Sequence, residues 1–286
     1  MTPLYLRVDV CTYRGLRDGV PGVLDILKRV KARATFFVAF GPDASGLAML
    51  KMLNPSFAWK MLRSNAVGTY GFATAFYGTL LPSPLIGAGL PDIVRRISDE
   101  GHEIGMHGWD HRRWQDRLPT FKPGRATDEF QQMRNAYRTV LGVEARSFAA
   151  PAWLVTREIL ESEKGLDYAS DARGMTPFLA TFEGVDYSVP QLPVTLPTID
   201  EMLGRVAREH YAAEIVSLAS KQEYACYTAH AEAEGREYAQ EFEAILARAN
   251  RPIAPLCEAP RVNLPRREMT LGRVEGRPYD VCVTAG

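Results

Sequence analysis

The segment LYLRVDVCTYRGLRDGVPGVLDILKRVKARATFFVAF, residues 4–40, gives the first indication of the fold. Residues 4–10 form a short strand-like run, and residues 34–40 form a second apolar run rich in β-formers. Between them, residues 20–30 repeat apolar side chains at helical spacing, with Pro21 in the first turn. Strand, helix and strand in this order indicate a parallel βαβ unit.

The same alternation continues along the chain. Further strands are expected at 102–107, 145–151, 166–169, 189–194 and 224–230, and helices at 92–98, 127–141 and 237–249. An α/β fold follows, either a barrel or a doubly wound sheet, because periodicity alone does not separate the two. No repeat, low-complexity tract or linker is found, so residues 1–286 are predicted to form a single domain.

Composition excludes several classes of partner. The chain has 286 residues with 34 basic and 34 acidic side chains, so its net charge does not favour nucleic acid. There is no GxGxxG or Walker pattern, and we therefore expect no nucleotide cofactor. The four cysteines form no CxxC pair, and the N-terminal residues do not read as a secretory signal. We expect a reduced, cytoplasmic compartment.

Residues 44–91 depart from the α/β rhythm. This apolar insertion follows the second strand, contains no acidic residue, and mixes Lys51, Lys60 and Arg63 with aromatic side chains such as Trp59. Glycines and prolines interrupt it, so a membrane-spanning helix is not expected. Basic and aromatic residues among apolar ones suit a membrane interface. An insertion that packs on its own domain explains the pattern equally well.

The segment GHEIGMHGWDHRRWQ holds the strongest chemical signal. His107 and His111 are four residues apart after an expected strand, and either a helical turn or a strand-to-helix turn lets both imidazoles meet one metal ion. A surface HxxxH without ligands is the alternative. Asp9 and His230 each end an expected strand, where parallel α/β folds build their sites. Asp171 follows another strand and is predicted to orient His230.

Each of these three residues also has an ordinary explanation. Asp9 can begin a turn, His230 can be a buried histidine bonded to the backbone, and Asp171 can pair with Arg173 in a loop. A carboxylate and a histidine beside a metal ion would instead supply a general base and a general acid. The combination with His107 and His111 favours the catalytic interpretation.

Several blocks of sequence resemble the polysaccharide deacetylase family, whose members have a NodB-type domain. The blocks are LRVDVCTYRG, NPSFAWKMLRSNAVGTYG, GHEIGMHGWDHRRWQ, YASDARGMTPF, QLPVTLPTIDE, YTAHAEAEG and LGRVEGRPY. The resemblance implies a distorted (β/α) barrel of about seven strands. The blocks are most similar to a branch of the family that removes the formyl group from 4-deoxy-4-formamido-L-arabinose on undecaprenyl phosphate.

The resemblance also implies a mechanism and a setting. Asp9 matches the family's catalytic base, His230 its general acid, and His107 and His111 its metal ligands. The implied enzyme is a metal-dependent amidohydrolase of lipid A aminoarabinose modification and resistance to cationic antimicrobial peptides such as polymyxin. It would be cytoplasmic and peripheral on the inner face of the inner membrane. The residues that we predict to bind substrate are Arg14, Trp59, Arg63, Trp109, Trp153 and Arg173.

Two positions depart from the family pattern. Cys11 stands where the family has a second aspartate as third metal ligand. A thiolate at Cys11 favours zinc, with cobalt or manganese as the other options; alternatively the thiol stays protonated and two histidines and water hold the ion. Leu154 stands where the family has an arginine that steadies the base, and Arg7 or Arg173 are possible substitutes.

Two other functions fit the same residues. One is an N-deacetylase of another lipid-linked or oligosaccharide amino sugar, in which Trp153 or Met175 would line the acyl pocket. The other is an inactive family member that binds such a glycan, an interpretation that rests on Cys11.

Overall fold

The computed structural model describes residues 2–47 and 76–284. The predictions made for Trp59 and Arg63, and for most of the insertion, lie outside these residues. The strands are β1 (Leu4–Val10), β2 (Thr35–Val38), β3 (Glu103–Met106), β4 (Ser147–Phe148), β5 (Tyr168–Ala169), β6 (Phe178–Phe182), β7 (Val185–Gln191), β8 (Ala225–His230), β9 (Ile253–Ala254), β10 (Arg266–Gly272) and β11 (Val281–Thr284). The α-helices are α1 (Val20–Val30), α2 (Pro91–Asp99), α3 (His111–Arg117), α4 (Arg125–Leu141), α5 (Arg157–Ser162), α6 (Ile199–Met202), α7 (Tyr211–Ser220), α8 (Ala231–Glu234) and α9 (Ala239–Arg248).

The centre of the sheet is a run of parallel strands. Its order is β7-β5-β4-β3-β2-β1-β8, and every neighbouring pair in this run is parallel. Helices connect these strands except β5 and β7, between which the chain forms β6. The mostly parallel sheet with its connecting helices confirms the α/β prediction. Because the strands are parallel, their carboxyl ends meet at one edge, and the side chains that follow them lie together there.

Strand β1 shows why the sheet is covered on both faces. All of its residues are buried, and Leu4, Leu6 and Val8 belong to the larger apolar core between the sheet and the helices. The alternate residues point to the opposite face, where Tyr5 belongs to a second core. Arg7 lies on this second face as well. One face of β1 is therefore apolar, and the other includes a charged side chain.

The antiparallel part of the sheet was not predicted. Strands β6 and β7 form a hairpin, and the strand expected at 189–194 in fact spans Val185–Gln191. Glu183 and Gly184 connect the two strands, both with positive φ (49° and 76°), as a tight hairpin turn requires. Glutamate is unusual at such a position, so the sequence carries little signal for this turn. Strands β10 and β11 extend the same edge.

Among the described residues, no helix is both long enough and apolar enough to cross a membrane.

Glu201 joins three separate parts of the chain at the edge that carries the strand ends. Its Oε1 accepts from Arg173 Nη1 at 2.6 Å and from Arg277 Nε at 2.8 Å. Glu201 also completes a capping box with Thr198 at the start of α6. The Glu201 side chain is 1% exposed and both arginine side chains are 10% exposed. The C-terminal segment is therefore attached through a nearly dry ionic cluster.

Replacing Glu201 by glutamine leaves two buried guanidinium groups with a weaker acceptor. We expect Glu201→Gln to lower the free energy of unfolding by about 3 kcal/mol. Loss of one member of a buried ion pair leaves the charge of the remaining member, here the guanidinium groups of Arg173 and Arg277, without compensation. Urea unfolding measures the difference, and Glu209→Gln, at an exposed position, is the matched control. An equal effect of the two substitutions would contradict the role given to Glu201.

Candidate metal centre and active site

The sequence-predicted histidines meet the end of β1 at the carboxyl edge of the sheet. Cys11, His107 and His111 place their ligand atoms within 4.8 Å of one another. The imidazole centroids of His107 and His111 are 5.0 Å apart. This is the one such group of potential ligands found within 2–47 and 76–284.

A strand-to-helix turn brings the two histidines together. His107 follows β3, and Gly108 then takes a φ of 83°, a conformation that favours glycine. The Asp110 side chain accepts from the backbone N–H of Arg113 and so caps α3, which begins at His111. Of the two geometries that the spacing allowed, the structure has the turn.

The environment keeps both imidazoles neutral. Burial lowers the pKa of His107 to about 4, and burial together with the nearby His107 lowers the pKa of His111 well below its usual value. His107 Nδ1 lies 2.8 Å from the carbonyl oxygen of Ala149, which makes Nδ1 the protonated nitrogen and leaves Nε2 free. Neutral imidazoles with a free nitrogen are the form that binds metal ions.

Cys11 supplies the third potential ligand. Burial, followed by the charges of Glu232 and Asp9, raises the pKa of the Cys11 thiol well above its usual range. A metal ion bound here would have to displace the thiol proton. Two neutral imidazoles and a thiol form a donor set that suits zinc, so the residues fit a bound divalent metal.

Asp9 is held by Arg7. Arg7 Nε and Nη2 each lie 2.6 Å from a different oxygen of the Asp9 carboxylate, and Nη1 donates to the carbonyl oxygen of Ser170. Burial raises the pKa of Asp9, but Arg7 and His107 outweigh that effect and lower it to about 2. Arg7, one of the two substitutes suggested for the arginine expected at Leu154, is the residue that holds Asp9 ionised. Asp9 Oδ2 is also 3.6 Å from His107 Nε2, which places it beside the potential metal ligands.

His230 faces Asp200 and not Asp171. His230 Nδ1 is 3.9 Å from Asp200 Oδ1, and Asp200 Oδ2 is 3.6 Å from Arg277 Nη2. Burial lowers the pKa of His230, but the carboxylates of Asp200, Glu234 and Asp9 together raise it above its usual value. His230 is opposite Asp9 in the register of β1 and β8, so the base and the acid of the resemblance are neighbours.

The predicted role of Asp171 in orienting His230 is wrong. Asp171 is fully buried, and its carboxylate accepts from the backbone N–H of Ala150 at 2.7 Å and from Gln191 Nε2 at 3.0 Å. The position of Asp171 after a strand predicted only that it would lie at this edge of the sheet. The strand order determines that it contacts Ala150 and Gln191.

Two of the predicted substrate-binding residues are enclosed by protein. Arg173 donates to Glu201, to the carbonyl of Val194 and to that of Leu196, which uses all of its nitrogens. Trp153 is 2% exposed, with the guanidinium groups of Arg7, Arg173 and Arg277 stacked around its ring. We therefore correct the predictions for Arg173 and Trp153, whose contacts are structural.

The other described members of that set remain predictions. Arg14 is half-buried and pairs with Asp18 at 3.3 Å. Trp109 is half-buried in the turn between His107 and His111, where Gly41 has no side chain to displace its indole.

Sequence reasoning missed Asp200 and Glu232. Asp200 lies in the block QLPVTLPTIDE, whose Thr198 and Glu201 have capping-box spacing and so marked a helix start beside the site. Glu232 lies two residues after His230, and its Oε1 accepts from the backbone N–H groups of Cys11 and Thr12 at 2.7 Å each. Nothing local in the sequence links Glu232 to a loop more than two hundred residues away.

Comparison with known proteins places these residues in a family. A family model described as polysaccharide deacetylase matches residues 2–170. A protein from Shewanella sediminis, named a probable 4-deoxy-4-formamido-L-arabinose-phosphoundecaprenol deformylase, is 37% identical over 97% of this chain and 93% of its own length. A protein of the same name from Wigglesworthia glossinidia brevipalpis is 32% identical over 81% of this chain and 82% of its own.

The solved structures agree on the fold. A crystal structure from Mycobacterium smegmatis, titled as a polysaccharide deacetylase, superposes with a TM-score of 0.59 and covers 96% of this chain and 98% of that one, at 18% sequence identity. The family model spans more than half of the chain, and the Shewanella relative spans nearly all of it. The chain therefore belongs to the polysaccharide deacetylase family.

Proposed function

We propose that this protein is a metal-dependent amidohydrolase that removes the formyl group from 4-deoxy-4-formamido-L-arabinose on undecaprenyl phosphate. The observation that carries the proposal is the convergence of Cys11, His107 and His111 beside the ionised Asp9 and the His230 imidazole. Both curated relatives described above are named for this deformylation. The product, a free aminoarabinose, would serve lipid A modification and polymyxin resistance.

Acid and base roles follow from the surroundings of each group. A bound divalent ion supplies Lewis acidity toward the formamide carbonyl and toward water. Asp9, kept ionised by Arg7, accepts the proton of the water molecule that adds to the formyl carbon. His230, whose pKa is raised by Asp200 and the neighbouring carboxyl groups, donates a proton to the amine as the carbon–nitrogen bond breaks. The products are formic acid, which ionises to formate, and the free amine. One water proton is taken by Asp9, the other stays on the acid, and the proton held by Asp9 replaces the one that His230 gave to the nitrogen.

We propose zinc as the metal. A thiolate at Cys11 is a softer ligand than the aspartate of the family pattern, and it favours zinc over cobalt or manganese. Glu232 supports this assignment by fixing the Cys11 backbone, which points the loop and its thiol toward the histidines.

We also propose that the insertion at 44–91 contacts the cytoplasmic face of the inner membrane. In its described part, Leu80 is 79% exposed, Leu81 43% and Leu85 42%. Three exposed leucines within six residues form an apolar surface of the kind that binds a membrane or another protein. A polyprenyl-linked substrate lies in the bilayer, so the enzyme must bind it at the membrane surface. The lysines and arginine of the insertion suit anionic headgroups.

Formate release tests the proposed reaction directly. The protein loaded with zinc should release formate from the formamido-arabinose lipid much faster than acetate from the acetamido analogue, because the formyl carbon carries no methyl group and is more open to attack by water. Acetate release at an equal or higher rate would favour an N-deacetylase. If neither acid appears with zinc, cobalt or manganese and the lipid still binds, the protein is a glycan binder and the hydrolase proposal fails.

Metal content tests the ligand set. We expect one equivalent of zinc in the purified protein, and loss of most of it in Cys11→Ala and His107→Ala, because each substitution removes one of the donors. Cys11→Asp should keep a metal but bind cobalt or manganese better than the native protein does. Elemental mass spectrometry gives the stoichiometry. Cys257→Ala, which removes another half-buried thiol, is the control and should keep its zinc.

The pH dependence of the rate tests the pairing of His230 with Asp200. The general acid works only while protonated, and its raised pKa extends activity toward higher pH. Asp200→Asn removes a carboxylate that raises this pKa, so the alkaline limb of the kcat–pH profile should move to lower pH. Asp128→Asn, an exposed control, should leave it in place. If the alkaline limb of the kcat–pH profile does not move in Asp200→Asn, Asp200 does not raise the pKa of His230.

Binding to vesicles tests the membrane contact. Leu80→Ser should weaken binding to phosphatidylethanolamine–phosphatidylglycerol vesicles about tenfold, because one exposed leucine is worth about 1.5 kcal/mol or more when buried in lipid. Leu271→Ser, at a 55% exposed leucine outside the insertion, is the control for sedimentation with vesicles. Equal binding by both variants would place the contact elsewhere.

A further inference from the structure

A single peptide group separates the metal-site histidine from a buried carboxylate. The carbonyl oxygen of Ala149 is 2.8 Å from His107 Nδ1, and the N–H of Ala150, on the same peptide group, donates to Asp171 Oδ1 at 2.7 Å. A carbonyl and an N–H of one peptide point in opposite directions, so the two partners lie on opposite sides of it. The order of groups is imidazole, peptide, carboxylate.

The parallel strands produce this order. His107 follows β3, the Ala149–Ala150 peptide follows β4, and Asp171 follows β5, which are consecutive strands in the sheet. The ladder positions them, because Ala149 N–H donates to the carbonyl of Met106 and the Ser170 N–H donates to that of Phe148, each at 2.9 Å. The peptide is therefore held by the sheet as well as by its two polar partners.

The far end of the arrangement carries one negative charge. Gln191 Nε2 donates to Asp171 Oδ2 at 3.0 Å and lies 3.3 Å from Glu163 Oε2. Both carboxyl groups are buried, with Asp171 at 0% and Glu163 at 1% exposure. Burial and the adjacent Asp171 carboxylate raise the pKa of Glu163 well above its usual range. Burial also raises the pKa of Asp171, but its carboxylate accepts hydrogen bonds from the Ala150 N–H, from Gln191 Nε2 and from Glu163, and these bonds lower it. The shared proton accordingly lies on Glu163, and Asp171 holds the charge.

We propose that Asp171 is a positioning residue for the metal centre, acting on His107 through the Ala149–Ala150 peptide. The negative carboxylate polarises the peptide, so that its carbonyl accepts more strongly from His107 Nδ1–H. That bond fixes the ring and its tautomer and makes Nε2 a better electron donor to the ion. The inference rests on the proposed function, since it concerns the same metal site, and it assigns a role to the buried Asp171–Glu163 pair.

Asp171→Asn tests the charge with little change in volume. We expect this variant to bind zinc about tenfold more weakly, at the lower end of the effect of removing outer partners of metal ligands. In the metal-free protein, nitrogen-15 NMR of labelled histidine should show the His107 Nδ1–H proton moved upfield and exchanging faster with water. A merely structural role for Asp171 would lower the melting temperature without moving this signal.

Glu163→Gln is the matched control. It changes the partner of Asp171, leaves the Asp171 charge in place and can still donate to it, so zinc affinity and the His107 signal should stay within about twofold of the native values. Equal loss of zinc affinity in both variants would overturn the proposal, because packing and not charge would then be responsible. Native affinity and an unmoved His107 signal in Asp171→Asn would also overturn it.

The native protein supplies a test that needs no variant to fold. In its metal-free form, the Ala150 amide proton should be shifted far downfield by its short bond to a carboxylate, and His107 should show a protected Nδ1–H. Absence of either signal contradicts the proposal. These signals do not depend on catalysis or on bound metal. A protein that shows both but binds no zinc, cobalt or manganese would refute the metallohydrolase and leave the hydrogen-bonded arrangement standing.

Discussion

The ion pair between Arg7 and Asp9 is the interaction on which the site depends. Both side chains lie on the inner face of a strand that is buried throughout, and their two short bonds leave neither charge uncompensated. Removing one member of such a pair costs about 3–5 kcal/mol. Arg7 also donates to the carbonyl of Ser170, so the same guanidinium connects the end of β1 to the end of β5.

Around this pair, the structure assigns opposite charge states to groups of the same kind. His107 and His111 are neutral because burial dominates, whereas the carboxyl groups of Asp200, Glu234 and Asp9 raise the pKa of His230 above its usual value. Asp9 is ionised beside Arg7, while Glu163 is protonated beside another carboxylate. Separation of protonation states by local environment is how one site holds both a base and an acid near neutral pH.

The parts of the site that the sequence predicted are those that depend on local order. The His107–His111 spacing and the positions of Asp9 and His230 at strand ends follow from neighbours a few residues away, and the structure brings these residues together. The partner of His230 was predicted wrongly. Asp171 follows β5 and Asp200 lies in the first turn of α6, both at this edge, and only the tertiary structure shows which of them faces the imidazole.

The sequence by itself determined the parallel α/β architecture, the strand that carries Asp9, and the residue types available to a metal ion, because hydrophobic periodicity and side-chain chemistry are local properties. The tertiary structure decided the pairings: Arg7 with Asp9, Glu232 with the Cys11 loop, and the Ala149–Ala150 peptide between His107 and Asp171. These contacts join strands and loops far apart in the chain. Their partners are set by strand order and register, which no short stretch of sequence specifies.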